Sequence, residues 1–253
     1  MDSLLSRPVF FFVFSLVLLW LSAQAGAFLQ KRRPLQDDAR DDFQIVEAAS
    51  LTLLGLIMGF SFSMAMTRYD QRKYYEEAEA NAIGTEYARA DLLPGPDGAK
   101  VRALLISYLD QRILFYVTHD ERRREEVNAA TAQRQAEMWT AVQAPAMAQP
   151  TPVNALAVAG MNDVLNSQGY TQAAWWNRIP TAAWILMLAV AIFSNGMIGY
   201  GVHTRKANTG VLFILPLLVS VAFLLISDID SPRRGLISVT PQNLISLRQS
   251  LRK

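Results

Sequence analysis

FQIVEAASLTLLGLIMGFSFSMAM, residues Phe43–Met66, carries a single charge, Glu47, close to one end. At 1.5 Å per residue the run is about 36 Å long as a helix, enough to cross a hydrocarbon core of about 30 Å. Glu47 sits where a side chain can reach headgroups. The residues that follow, TRYDQRKYYEEAEANAIGTEYARADLL (Thr67–Leu93), are crowded with charge, contain no proline and are rich in helix formers. One helix that leaves lipid near Met66 and continues in water to Pro94-Gly95-Pro96 satisfies both halves.

Three further apolar runs follow the same logic. Pro8–Phe28 has no charge and is about 31 Å long as a helix. Arg7, an apolar stretch and Ala23-Gln24-Ala25 also fit a cleaved secretory signal. Retention is favoured, because Lys31-Arg32-Arg33 is a natural stop after an uncleaved helix, and cleavage would leave only three spans. Thr181–His203 and Gly210–Ser227 are joined by a short turn with Arg205 and Lys206, which predicts an antiparallel hairpin. Pro216 inside the last run is tolerable where neighbours re-satisfy the freed carbonyl. The fold class expected is an all-α membrane protein. Its four transmembrane helices lie at 8–28, 43–66, 181–203 and 210–227, with a helical cytoplasmic insert at 67–180 and a tail at 228–253.

Within the insert, a helix starting near Asp97 has Val101, Leu104, Leu105, Tyr108, Leu109, Ile113 and Tyr116 at helical spacing, with Arg112 the one cation on that face. HDERRREE, His119–Glu126, continues it or opens a third helix. Pro145, Pro150 and Pro152 are expected to break the chain before a last helix around Val153–Leu165. Trp175, Trp176 and Trp184 read as interfacial anchors beside the third span.

The net charge is only +2, with acidic and basic residues interspersed through the insert, so no nucleic-acid footprint exists. There are no cysteines, which removes disulfides, thiolate metal sites and cysteine nucleophiles. No phosphate loop, HExxH motif or nucleophile elbow occurs, so no enzyme and no cofactor are expected. Near span ends, Arg7, Arg68, Arg72, Lys73, Arg178, Arg233, Arg234, Arg248, Arg252 and Lys253 share one side, against Lys31, Arg32, Arg33, Arg40, Arg205 and Lys206. That bias places both termini and the insert in the cytoplasm; the membrane expected is a bacterial inner membrane.

Phe60, Ser61, Phe62 and Ser63 alternate rings and hydroxyls at the end of the second span. They can line a hydrophobic gate that closes by dewetting, or face lipid and helix backbone. Asn195 is a polar pore candidate in the third span. Gly55 and Gly59, and Gly196 and Gly199, have the small-residue spacings that let helices approach closely. Asp228 and Asp230 face the negative end of the last span's dipole, so something must compensate them. Arg233 or Arg234 can do so, as can a bound cation such as calcium, which needs six to eight oxygens. Glu76, Glu77, Glu79 and Glu86 read as solvated or helix-pairing charge rather than an ion route. His119 and His203 stand alone.

FSFSMAMTRYDQRKYYEEAEANAIGTEYARADLLP (Phe60–Pro94), NRIPTAAW (Asn177–Trp184) and DIDSPRRGLISVTPQ (Asp228–Gln242), in that order and spacing, resemble the signature of the bestrophin-like domain family. The resemblance covers nearly the whole chain and implies four spans. The family name further implies a relation to bestrophins, which are oligomeric anion channels gated by calcium. Where the bestrophin calcium clasp has a contiguous acidic run, this chain has Asp228 and Asp230. The expected role is a homo-oligomeric ion channel in the lipid bilayer. The competing role is a scaffold or signalling subunit whose insert, with HDERRREE exposed, binds a cytoplasmic protein.

Overall fold

The computed structural model describes residues 7–202, 209–233 and 235–252. Every regular element among the described residues is helical. In chain order these are α1 (Pro8–Arg32), α2 (Arg40–Arg89), α3 (Gly95–Val117), α4 (Glu121–Ala148), α5 (Pro152–Trp176), α6 (Thr181–Gly201), α7 (Thr209–Asp230) and α8 (Gln242–Ser250), with single 3-10 turns at Asp37–Ala39 and Ala90–Leu92. Four helices, α1, α2, α6 and α7, are long and apolar enough to cross a membrane.

The chain divides into two compact units, and α2 supplies residues to both. The first comprises the chain up to Tyr69 together with Arg178–Ser238. Here α1 packs against both α6 and α7, which meet each other far less. The expected α6–α7 hairpin is therefore not the main packing unit. The reason lies in small residues. A Cβ at Gly199 would collide with the Ala23 carbonyl, and one at Gly26 with the Gly196 carbonyl, so α1 and α6 cross backbone to backbone. The Ser22 hydroxyl crosses the same seam to the Ile192 carbonyl at 2.7 Å. Phe11 stands edge-on to Trp184 with centroids 5.1 Å apart, and Phe223 closes the cluster over Leu19, Met187 and Ala191.

The second unit comprises Asp70–Asn177 and the chain from Val239. Its core is built where α3, α4 and α5 pack in sequence over Val101, Leu105, Leu109, Met138, Val142, Met161 and Val164. The helix starts are chemically marked. The Asp120 carboxylate accepts from the Arg123 N–H at 3.0 Å, and the Thr151 hydroxyl from the Asn154 N–H at 3.1 Å. The first of these caps makes HDERRREE the opening of a separate helix instead of an extension of α3.

Several expected boundaries move. The third helix of the chain begins at Gly95, two residues before Asp97, because Pro96 fits a first turn that needs no N–H. Pro145 does not break the chain but lies inside α4, one turn before its end; the break falls at Gln149–Thr151. The last span does not stop at Ser227 but continues to Asp230. Trp175 and Trp184 are core residues, not interfacial anchors; Trp175 packs edge-on with Phe115 and Tyr116 at 5.2 and 5.4 Å. Only Trp176, 74% exposed, keeps a surface position. His203, Arg205, Lys206 and Arg234 lie outside the described residues.

Candidate functional site

The helical register of α2 separates two faces in the span-forming unit. Ser50, Leu54, Ser61 and Ala65 turn inward and are buried. Thr52, Leu56 and Phe60, spaced by four, lie on the opposite face, and Ser63 and Thr67 extend it. All five are exposed, Phe60 by 64%. A Cβ at Gly55 or Gly59 would meet nothing within 4 Å, so this small-residue surface is uncovered in the single chain. Thr52 and Thr67 donate to the carbonyls of Ala48 and Ser63, each one turn back, at 2.8 and 2.9 Å. Each hydroxyl oxygen still has lone pairs to hold water.

Of the five pore candidates, Phe60 and Ser63 fall on this open face, and Phe62 is exposed beside it. Ser61 turns to the core. Asn195 is buried, its Nδ2 donating to the Ala191 carbonyl at 2.8 Å. Sequence reasoning missed Thr52, Leu56 and Thr67, which four-residue spacing from Phe60 and Ser63 could have found.

Asp228 and Asp230 end α7 in the same unit. Asp228 accepts from the Leu236 and Ile237 N–H groups at 2.7 and 2.8 Å, one on each oxygen. Asp230 accepts from the Ile179 N–H at 3.0 and 3.2 Å. Backbone amides thus supply part of the compensation that these two charges need. Gly235 is needed for this, since a Cβ there would collide with the Asp228 carbonyl. Among the described residues, no three His, Asp or Glu side chains converge as metal ligands.

The second unit buries charge. Glu79 and Arg112 pair with both side chains at 0% exposure, and the Thr171 hydroxyl donates to Glu79 at 3.1 Å. The Arg112 guanidinium lies 4.5 Å from the Phe115 ring centroid. Burial works against the Arg112 charge, but Glu79 outweighs it and the guanidinium is held more firmly protonated than usual. Burial, then the negative charge of Glu79, raises the Tyr108 and Tyr116 hydroxyls. Glu76 caps α8, its carboxylate accepting from the Asn243 and Leu244 N–H groups at 2.9 and 3.0 Å. Arg248 bonds Asp110 at 2.7 and 3.1 Å, tying α8 to α3. Among these acids Glu77 is exposed. On α4, Glu121, Arg122, Arg123, Glu125 and Glu126 face solvent.

Glu86 differs from its neighbours. It is buried against the bare backbone of Gly160, where a Cβ would collide with its carboxylate, and neither oxygen has a hydrogen-bond partner. Burial pushes its carboxyl up to about 8, against the pull of Arg89 and with the help of Asp163. An acid whose folded pKa exceeds its unfolded value binds a proton more tightly when folded, so stability falls as pH rises between the two. Thermal unfolding should show a loss that begins near pH 4.5, builds through about pH 8 and then levels. Glu86→Gln should flatten that slope and leave the protein more stable than wild type at pH 9. An unchanged slope in the variant would assign the pH dependence elsewhere.

Compared with known proteins, residues 9–244 match the model of the bestrophin-like domain. The chain belongs to the bestrophin-like family. Solved structures agree on the fold. A point variant of a bacterial bestrophin homologue from Klebsiella pneumoniae superposes with a TM-score of 0.67 at 12% identity, covering 95% of this chain and 97% of that one. A second variant of that homologue gives 0.67 at 11%, over 96% and 99%. A structure described as a membrane protein gives 0.65 at 12%, over 95% and 97%. No curated protein matches by sequence. At these identities the likeness carries the architecture of the bestrophin-like protein, and its chemistry has to come from its own residues.

Proposed function

We propose that this bestrophin-like protein is a subunit of a homo-oligomeric ion channel, with the open face of α2 turned towards a shared water path. The observation that carries the reading is the uncovered Gly55–Gly59 surface, flanked by Thr52, Ser63 and Thr67. Small residues let neighbouring copies approach, and the hydroxyl oxygens hold water along the path. Leu56 and Phe60 on the same face supply an apolar constriction able to close by dewetting. Anions are the favoured cargo, by family. The positive-charge bias puts the second unit and both termini in the cytoplasm.

Ion flux from liposomes holding the purified protein tests this, with chloride, potassium and impermeant-ion gradients, with and without calcium. Chloride flux above empty-liposome and inactive-protein controls is expected, unaffected by calcium. Phe60→Ala should raise it several-fold by wetting the constriction. Absence of flux in every gradient, from protein shown to be folded and oriented, would overturn the channel reading.

A further inference from the structure

The α1–α2 end of the span-forming unit holds two adjoining hollows. An apolar groove of about 310 Å³ runs between α1 and α6, floored by Gly26 and Gly196 and walled by Ala25, Leu29, Ile192 and Met197. That volume is at the lower end for ligand pockets. Beside it lies a smaller polar cleft of about 110 Å³ lined by Arg40, Gln44 and Glu47. Phe43 lines both, with Tyr200 on the groove and Gly201 on the cleft. The rim is fixed rather than floppy. Phe43 and Tyr200 pack with centroids 5.6 Å apart, and the Tyr200 hydroxyl donates to the Arg33 carbonyl at 2.9 Å. The Gln30 side chain accepts from the Leu35 N–H at 3.2 Å.

An apolar trench opening into a cleft with one cation, one amide and one carboxylate has the polarity of a phospholipid. The charges decide which kind. A guanidinium and a carboxamide offer donors to a phosphate. A carboxylate beside them repels a purely anionic headgroup but accepts from a primary ammonium. We propose that this groove and cleft bind one phosphatidylethanolamine-type lipid, with an acyl chain along α1 and α6, the phosphate at Arg40 and Gln44, and the ammonium at Glu47. Lys31, Arg32 and Arg33 are exposed and do not line the cleft. Asp38, Asp41 and Asp42 are exposed as well and do not line the cleft. The site also gives Arg40 a role on the side of the spans where the charge bias does not expect a cation.

The test uses the full chain, which has no native cysteine, so Leu21→Cys gives a single bimane site on the exposed face of α1 one turn from Ala25. In phosphatidylcholine nanodiscs, brominated phosphatidylethanolamine should quench the probe at a mole fraction about tenfold lower than brominated phosphatidylcholine or phosphatidylglycerol. Glu47→Gln should erase the preference for ethanolamine over choline while leaving quenching itself. Arg40→Ala should weaken all three lipids. Ala25→Trp, which fills the trench from an exposed position, should abolish preferential quenching without unfolding the protein. Equal quenching by all three lipids would reduce the groove to ordinary annular contact and overturn the proposal. So would no quenching at all, which would mean that another copy of the chain covers it. Neither outcome bears on ion flux, so the channel reading stands or falls separately.

Discussion

Arg112→Ala should cost the second unit about 3–5 kcal/mol, the penalty of leaving one member of a buried ion pair alone. Glu79 would keep the Thr171 hydroxyl but lose its guanidinium, in a core where its side chain is fully buried. The Phe115 ring would lose its cation, and the space vacated beside Leu109 and Tyr108 would become a cavity. Thermal unfolding and limited proteolysis of α3 and α5 read the loss. The pair itself is a different matter from its breakage. Two charges withdrawn from water recover their desolvation only in part, so Glu79→Leu combined with Arg112→Met should restore most of the stability. If the single variant unfolds like wild type, the burial of this pair is not what holds the unit.

That pair also shows where sequence reading stops. Arg112 is visible on the apolar face of α3, and Glu79 and Glu86 are visibly seven apart on one face of α2. The spans and the length of α2 were legible because lipid and water impose opposite compositions over whole turns, and one proline-free run crosses from one to the other. Pairing was not legible, because opposite charges 33 positions apart have no local signature. Glu76 and the amides of α8 meet across 167 positions for the same reason. Proline was over-read at Pro145, which lies inside α4: a proline weakens a helix by one N–H bond and a ring clash, and here the helix runs on to Ala148 regardless. Tryptophan was over-read too, since composition does not separate a ring at the bilayer edge from one packed edge-on in a core, as Trp184 is on Phe11. The open face of α2 was half legible. FSFS names four adjacent residues, but at about 100° per residue only the register selects Phe60 and Ser63 and sends Ser61 inward.

Gly199→Val should be the most damaging substitution among the spans, and its contrast with Gly59→Val separates folding from assembly. In lipid the apolar surroundings are as good a solvent as a neighbouring helix, so helices associate through close packing and interhelical hydrogen bonds. At Gly199 a Cβ alone would collide with the Ala23 carbonyl and come within 2.8 Å of its carbon and 3.1 Å of the Ala23 Cα. These are backbone atoms, with no rotamer to yield. Accommodating a branched side chain means separating α1 from α6, loosening the Ser22–Ile192 bond and the Phe11–Trp184 contact along the same seam. Overpacking of this sort costs about 1–3 kcal/mol where side chains adjust, and more where they cannot. The purified variant should therefore unfold at clearly lower temperature and aggregate in detergent. Gly59→Val adds the same atoms where nothing lies within 4 Å. It should leave the single chain as stable as wild type and weaken the oligomer, read as a shift to smaller mass by light scattering. If Gly59→Val keeps the wild-type mass, the open face of α2 is not where copies meet, and the water path proposed there loses its support. If Gly199→Val is as stable as wild type, the close crossing of α1 and α6 does not hold the unit together.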